Sequence, residues 1–320
     1  MIDTNNKCNA ILKSGNRKDE VCGASRKTDV IVNSSLQPRC NRHNINKNTE
    51  LDKSQENAFN LCIKGDDNVF ITGSAGVGKS FLINKIKEYF NNNNINYALT
   101  SSTGISSINI NGQTLQSFFG LKSYITKLKH VQDDNGKCIY NLNKNCIKRI
   151  KKLNTLIIDE ISMIDSNIFN IVEYISRKIK NNNLIFSGIK LIIVGDFFQL
   201  PPIPDSEDRI KSFKHSYCFK SSVWNNLNFK TIILNTSYRQ RNKTFYNMLS
   251  NIRLCKLDNK ILKVLNKKII LLDDLEKYDD WTILFSSNYQ KDKYNNIKLN
   301  KINNECKNYE SIYKGNIKYN

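Results

Sequence analysis

Three short stretches carry the residue types needed to handle a triphosphate. The first is Val69 to Leu82, VFITGSAGVGKSFL. An apolar run of strand character (Val69, Phe70, Ile71) stops at a loop, Gly73, Ser74, Ala75, Gly76, Val77, Gly78, and Lys79 and Ser80 then open an amphipathic segment through Leu82 and Ile86. This is G-x-x-x-x-G-K-[ST] between a predicted strand and a predicted helix. Glycines lack a Cβ, so the loop can turn its N–H groups inward onto phosphate oxygens, and the helix start adds unpaired N–H groups and a positive dipole end. Lys79 is placed for the β- and γ-phosphates and the Ser80 hydroxyl for Mg²⁺. The chain is therefore expected to bind a nucleoside triphosphate.

The second stretch is LIIDEISMID, Leu156 to Asp165, where an apolar strand ends in Asp159 and Glu160. The C-terminal edge of an open α/β sheet is where its ligands lie. Asp159 is expected to hold Mg²⁺ and Glu160 to orient or deprotonate an attacking water. The third, LIIVGDFFQLPP from Leu191 to Pro202, delivers Gly195, Asp196 and Gln199 to the same edge, and Pro201 and Pro202 end regular structure there. An amide at that position can hydrogen-bond a γ-phosphate and change partners when it leaves, which makes Gln199 a sensor candidate.

Positioning these residues requires strands that end together. Apolar runs recur at Tyr97 to Leu99, Leu156 to Ile158, Leu191 to Val194 and Ile232 to Leu234, with helical segments such as Phe81 to Phe90 and Ile168 to Lys180 between them. The pattern is α/β: a parallel sheet covered by helices on both faces. Asparagine tracts at 91–94 and 181–183 mark connections, and residues 121–152 read as a basic insertion with a turn at Asp133 to Gly136. Leu51 to Ile63 has helical spacing and contains Gln55, whose amide could read an adenine edge or simply face solvent.

The N-terminal 1–47 region contains Cys8, Cys22, Cys40 and His43, spaced C-x13-C-x17-C-x2-H. Four such ligands could close a tetrahedral zinc site, and the metal would supply stability that so small a segment cannot bury for itself. The alternative is a tail with incidental cysteines. Over the whole chain, 49 Lys and Arg against 29 Asp and Glu give a net charge of +20 and a pI near 9.5. That surplus favours a polyanionic partner, most simply nucleic acid, unless the lysines only reflect an AT-rich coding sequence. No apolar run approaches the length of a signal peptide or membrane span, so a soluble, intracellular protein is expected. The nine cysteines read as free thiols or metal ligands rather than a disulfide framework.

Taken together and in order, GSAGVGKS, SSTGISSININGQTLQSFFG, LIIDEISMID, VGDFFQLPP and SYRQ resemble the Pif (petite integration frequency) family of superfamily 1B DNA helicases, with RecD-type enzymes as cousins. The resemblance covers about residues 51 to 299. It implies a P-loop NTPase with a RecA-like domain over 48–235, the start of a second RecA-like domain over 236–320, and ATP-driven 5′-to-3′ translocation on single-stranded and forked DNA. It makes Gln55 the adenine reader, Arg239 in SYRQ the arginine that reaches the γ-phosphate, and Thr103 and Gly104 a single-strand-contacting loop. Phe118 and Phe119 follow, to stack on bases or on the core. Asn288 and Asn295 match the family's T-x-L-x-x-x-N…N segment, and the 121–152 insertion occupies the place of a strand-separating element.

Two departures stand out. Gln116 replaces the family's usual His, and the later motifs have no counterpart before Asn320. A motor needs two lobes that open and close around ATP. The expectation is thus a helicase in truncated or split form, completed by a second polypeptide, or else an ATP-binding switch on DNA that does not unwind.

Overall fold

The computed structural model describes residues 28–32 and 35–39, for their backbone, and 50–203, 216–270 and 281–302, apart from positions 124, 126, 134, 136, 137, 139 and 241, together with 304, 307 and 309. Cys8, Cys22, Cys40 and His43 lie outside the described residues. Two compact units are formed, Met1–Leu257 and Asp258–Asn320.

In the first unit an antiparallel pair, β1 (Thr28–Val32) and β2 (Ser35–Arg39), comes first among the described residues. Six parallel strands follow: β3 (Val69–Thr72), β4 (Tyr97–Ser101), β5 (Gln113–Thr114), β6 (Thr155–Asp159), β7 (Lys190–Gly195) and β8 (Lys230–Ile233), in the spatial order β5-β4-β6-β7-β3-β8. The helices are α1 (Lys53–Ile63), α2 (Lys79–Asn92), α3 (Gly104–Asn109), α4 (Leu115–Phe119), α5 (Lys144–Lys151), α6 (Ser166–Lys180), α7 (Ser222–Asn225) and α8 (Lys243–Arg253).

The central strands are apolar throughout because both faces are covered. With side chains alternating between faces, Leu156, Ile158, Leu191 and Ile193 point into one core with Phe169 and Val172 of α6. Ile157, Ile192, Val194, Val69 and Ile71 point into the other, with Leu82, Ile83 and Ile86 of α2. In-register pairing of Val69 with Ile192 and of Leu156 with Leu191 keeps the alternation aligned across the sheet.

Residues 121–152 are built into the first core. Leu121, Ile125, Val131, Cys146 and Ile150 are buried in it beside Phe118 and Phe119, and an antiparallel bridge joins Gln132 to Cys138 around the expected turn. The asparagine tracts do end helices. Asn94 and Asn181 adopt positive φ of 54° and 52°, which asparagine tolerates better than most side chains. Cys62, Cys138, Cys146, Cys218 and Cys255 are free thiols. Among the described residues no helix is long and apolar enough to cross a membrane.

In the second unit, α9 (Asn259–Asn266) is capped by the Asp258 side chain and α10 (Asn288–Asn300) by that of Ser287. Asn288 is the first residue of α10, and the ring of Tyr294 on the same helix lies 5.4 Å from that of Phe285.

Phe169 ties α6 to the rest of its core, fully buried with ring centroids 5.2 Å from Phe186 and 5.7 Å from Trp224. Phe169→Ala should therefore cost about 3–5 kcal/mol of unfolding free energy, read from chemical denaturation. A loss below about 1 kcal/mol would show that this core is looser than its burial indicates.

Candidate active site

The loop after β3 is shaped by two close approaches. Gly78 caps α2 at φ 84°, and a Cβ on it would stand 2.4 Å from Gln55 Nε2. Gly76 has φ 82°, and a Cβ there would stand 2.4 Å from Arg239 Cβ. Both positions need glycine for conformation, and Gly76 needs it for space as well, because the Cβ of Arg239 cannot swing aside as a side-chain tip can. The segment Ser237–Gln240 clamps the loop from outside: Tyr238 and Arg239 donate their backbone N–H groups to the Gly76 carbonyl at 2.8 and 3.3 Å. The Tyr238 hydroxyl donates to Asp52 Oδ2 at 2.6 Å.

Asp52 in turn caps α1 through a reciprocal pair with Gln55. Gln55, 1% exposed, accepts from the Asp52 N–H at 3.1 Å through Oε1 and donates to the Val77 carbonyl at 3.4 Å through Nε2. The amide expected to read adenine is here turned onto the helix start and the loop, because the capping box and the loop carbonyl together engage both of its ends.

Lys79 is the buried charge of the site. Its Nζ donates to the carbonyls of Gly73 (2.7 Å) and Ser74 (3.0 Å). Burial lowers its pKa, while Asp196, Glu160 and Asp159 act to raise it. Asp159 ends β6 almost fully buried, and burial together with the Glu160 charge pushes its carboxyl up to about 6. Glu160 sits at φ 53°, ψ 47°, a strained conformation for a non-glycine residue, and donates its N–H to Asp159 Oδ1 at 2.9 Å. The exposed Ser80 offers a hydroxyl and Asp159 a carboxylate, both hard-oxygen donors of the kind a small divalent cation takes.

Asp196, Gln199 and Arg239 line a cavity of about 310 Å³ with Ser74, Tyr246 and Arg253. Arg253 pairs with Asp196, and the Tyr246 hydroxyl lies 3.2 Å from Ser74 Oγ. Sequence reasoning passed over Arg253, Tyr238, Tyr246 and Asp52. Asp52 carried a local signal, three positions before Gln55 as in a capping box, and Tyr238 lay inside SYRQ, but nothing marks Tyr246 or Arg253 in one dimension: Arg253 is one of 49 Lys and Arg, and its meaning lies in a carboxylate 57 positions earlier in the chain.

Of the three residues expected to contact a strand, the fold keeps Thr103 and Gly104 together and sets Phe118 apart. Thr103 caps α3 by accepting from the Ser106 N–H, and Gly104 beside it opens onto free space. Both lie at the surface, next to a second cavity of about 290 Å³ lined in part by Ser102, Thr103, Gln116 and Ile203. Phe118 is instead a core residue. It is 6% exposed, packed edge-on to Phe119, with the Arg149 guanidinium 5.0 Å over its ring, so no base can stack on it in this arrangement.

The model of the PIF1-like helicase family matches residues 50–271. The chain is 43% identical over 240 residues to the ATP-dependent DNA helicase Pif1 of Campylobacter jejuni, covering 74% of this chain and 52% of that protein. It is 33% identical over 276 residues to the ATP-dependent DNA helicase PIF1 of Emericella nidulans, covering 82% and 35%. The crystal structure of a Pif1 helicase from Bacteroides in complex with ADP-AlF3 and ssDNA superposes with a TM-score of 0.66 at 27% identity, over 80% of this chain and 58% of that one. The chain thus spans about half the length, or less, of these relatives.

The Asp159 carboxyl sets a pH dependence in metal-free protein. Its folded pKa, about 6, lies above the ordinary 3.8, so protonation favours the fold. That contribution is complete below about pH 4 and is lost as the pH rises through about 6, leaving the cost of a buried ionised group. Asp159→Asn should accordingly raise Tm over wild type by an amount that grows between about pH 4 and 7 and is level above, as followed by thermal melts in chelator. A pH-independent difference would assign the effect to packing instead.

Proposed function

The chain belongs to the PIF1-like helicase family, and from that membership we propose that it is the nucleotide-hydrolysing part of an ATP-dependent DNA helicase, coupling ATP hydrolysis to 5′-to-3′ movement on single-stranded DNA. One observation carries the proposal. The loop with Lys79, the Asp159–Glu160 pair, Asp196 with Gln199, and Arg239 all converge at the C-terminal ends of β3, β6 and β7 within one unit.

In this reading the loop N–H groups and Lys79 bind the phosphates. Ser80 and Asp159 would hold Mg²⁺, which when bound would neutralise phosphate charge. Glu160 orients the attacking water, with its backbone strain fixing where the carboxylate points. Gln199 reports the γ-phosphate, and Arg239, fixed to the loop through its own N–H, neutralises charge that develops on the phosphates. Gln55, with Asp52 and Tyr238, forms the base end, and an adenine contact requires its amide to exchange the Val77 carbonyl for the base edge. Thr103 and Gly104 hold DNA phosphates. The +20 charge supports a polyanionic partner, in this reading single-stranded or forked DNA, and a protein acting on DNA would be intracellular and soluble. Residues 236–320 are assigned to the start of a second RecA-like lobe.

Hydrolysis of ATP with and without single-stranded DNA tests this. Lys79→Ala should lower turnover at least about 100-fold, as losing a charge at a transferring phosphate does. DNA stimulation that disappears in the variant supports the helicase reading; ATP binding with no stimulated turnover supports a nucleotide switch.

We also propose a zinc site formed by Cys8, Cys22, Cys40 and His43. The close C-x2-H pair directly following β2 supports it. About one zinc per chain by elemental analysis, lost in Cys40→Ser, is the expected outcome. A metal-free wild type purified without chelator would sink it.

A further inference from the structure

Asp196 closes β7 at 1% exposure, and both of its carboxylate oxygens are engaged. Oδ1 accepts from the Phe198 N–H at 3.2 Å and from Arg253 Nη2 at 2.6 Å. Oδ2 accepts from Arg253 Nε at 2.8 Å and from Gln199 Nε2 at 3.4 Å. The backbone carbonyl of Asp196 also accepts from the Gln199 N–H at 2.9 Å. One carboxylate therefore organises the whole turn 196–199 from within, and Arg253, in the last turn of α8, grips it from without.

The guanidinium has a second contact in the same turn, lying 4.6 Å from the centroid of the Phe198 ring. Phe198 is 62% exposed, so burial does little to hold it in place. This is no solvated surface pair: the Arg253 side chain is only 24% exposed against 1% for Asp196. A carboxylate so buried, in a site that already holds Asp159 and Glu160, needs a counter-charge, and a planar fork meets both oxygens at once where a lysine cannot. Burial works to raise the Asp196 pKa, but Arg253 and the hydrogen bonds hold it below the ordinary carboxylate value, so the group stays ionised and can keep orienting Gln199.

We propose that Arg253 is a positioning residue for nucleotide hydrolysis: by gripping Asp196 it holds Gln199 at the wall of the phosphate cavity, and so lets the cavity distinguish a nucleoside triphosphate from a diphosphate. The inference rests on the site proposed above for ATP. It follows from what the two ends of the pair touch. Asp196 aims the Gln199 amide, and Arg253 shares the cavity wall with Gln199, Ser74 and Arg239. Freed of Arg253, the turn keeps its internal hydrogen bonds but loses its anchor to α8. Gln199 then has no fixed position from which to meet a terminal phosphate.

The experiment uses the full chain as wild type, Arg253→Ala and Arg253→Lys. It measures DNA-stimulated ATP turnover together with equilibrium binding of fluorescent ADP and of a non-hydrolysable fluorescent ATP analogue, with melting recorded for each protein. Arg253→Ala should lower kcat and weaken the ATP analogue, each by about tenfold or more, while ADP affinity stays within about twofold. Arg253→Lys keeps the charge but not the fork and should recover only part of both losses. It also serves as the test should the alanine variant fail to fold.

Equal weakening of ADP and the analogue would mean a merely structural tie and would overturn the inference. So would unchanged discrimination in both variants, or a wild type that does not prefer the analogue. A wild type that discriminates but does not turn over ATP defeats the hydrolysis reading alone, and loss of that preference in Arg253→Ala then still upholds the role of Arg253.

Discussion

Lys79 carries an ammonium into a place where it is 8% exposed, and the architecture around it is arranged to make that burial tolerable. Two loop carbonyls receive its protons, and three carboxylates from two other strand ends supply opposite charge. An isolated buried charge would lose several kcal/mol of hydration or give up its proton. Keeping it charged requires β3, β6 and β7 to end at one level, which parallel registers beginning at Val69–Ile192 and Thr155–Lys190 enforce.

The same requirement explains where the backbone is strained. Asp159 must end its strand facing the lysine, and the chain then turns at Glu160 through a left-handed conformation that side chains seldom adopt. Ile161, immediately after, packs so tightly on β7 that a Cβ on Gly195 would stand 2.9 Å from its N–H nitrogen. A packed core beneath, with Ile158, Ile161 and Ile193 fully buried, holds this turn in place.

Outside the sheet, the segment that follows β8 completes the loop rather than leaving it. Tyr238 and Arg239 close on the Gly76 carbonyl, Tyr238 reaches Asp52 at the head of α1, and α8 returns Arg253 to Asp196. The phosphate loop is thus held on one side by α1 and on the other by residues some 160 positions later in sequence. A rearrangement of the segment that carries Tyr238, Arg239 and Arg253 would be felt directly at the loop.

Much of this was written in local patterns. The glycine spacing before Lys79, the apolar runs ending in Asp159–Glu160 and Gly195–Asp196, and the helical period of α2 and α6 are short-range features, because strand and helix periodicities and loop conformations depend on residues a few positions apart. The strands at 97–101, 155–159 and 190–195 accordingly lie where their apolar runs do. What the tertiary structure decided needs, in each case, at least one partner far away in sequence. Whether Phe118 met a base or the core turned on Arg149 and Phe119 closing over it. Whether the Gln55 amide stayed free turned on Asp52 and Val77. Arg253 acquired its place only when α8 met the end of β7. A side chain's chemistry is fixed by its type, but the charge and space around it are set by chain segments that only folding brings together.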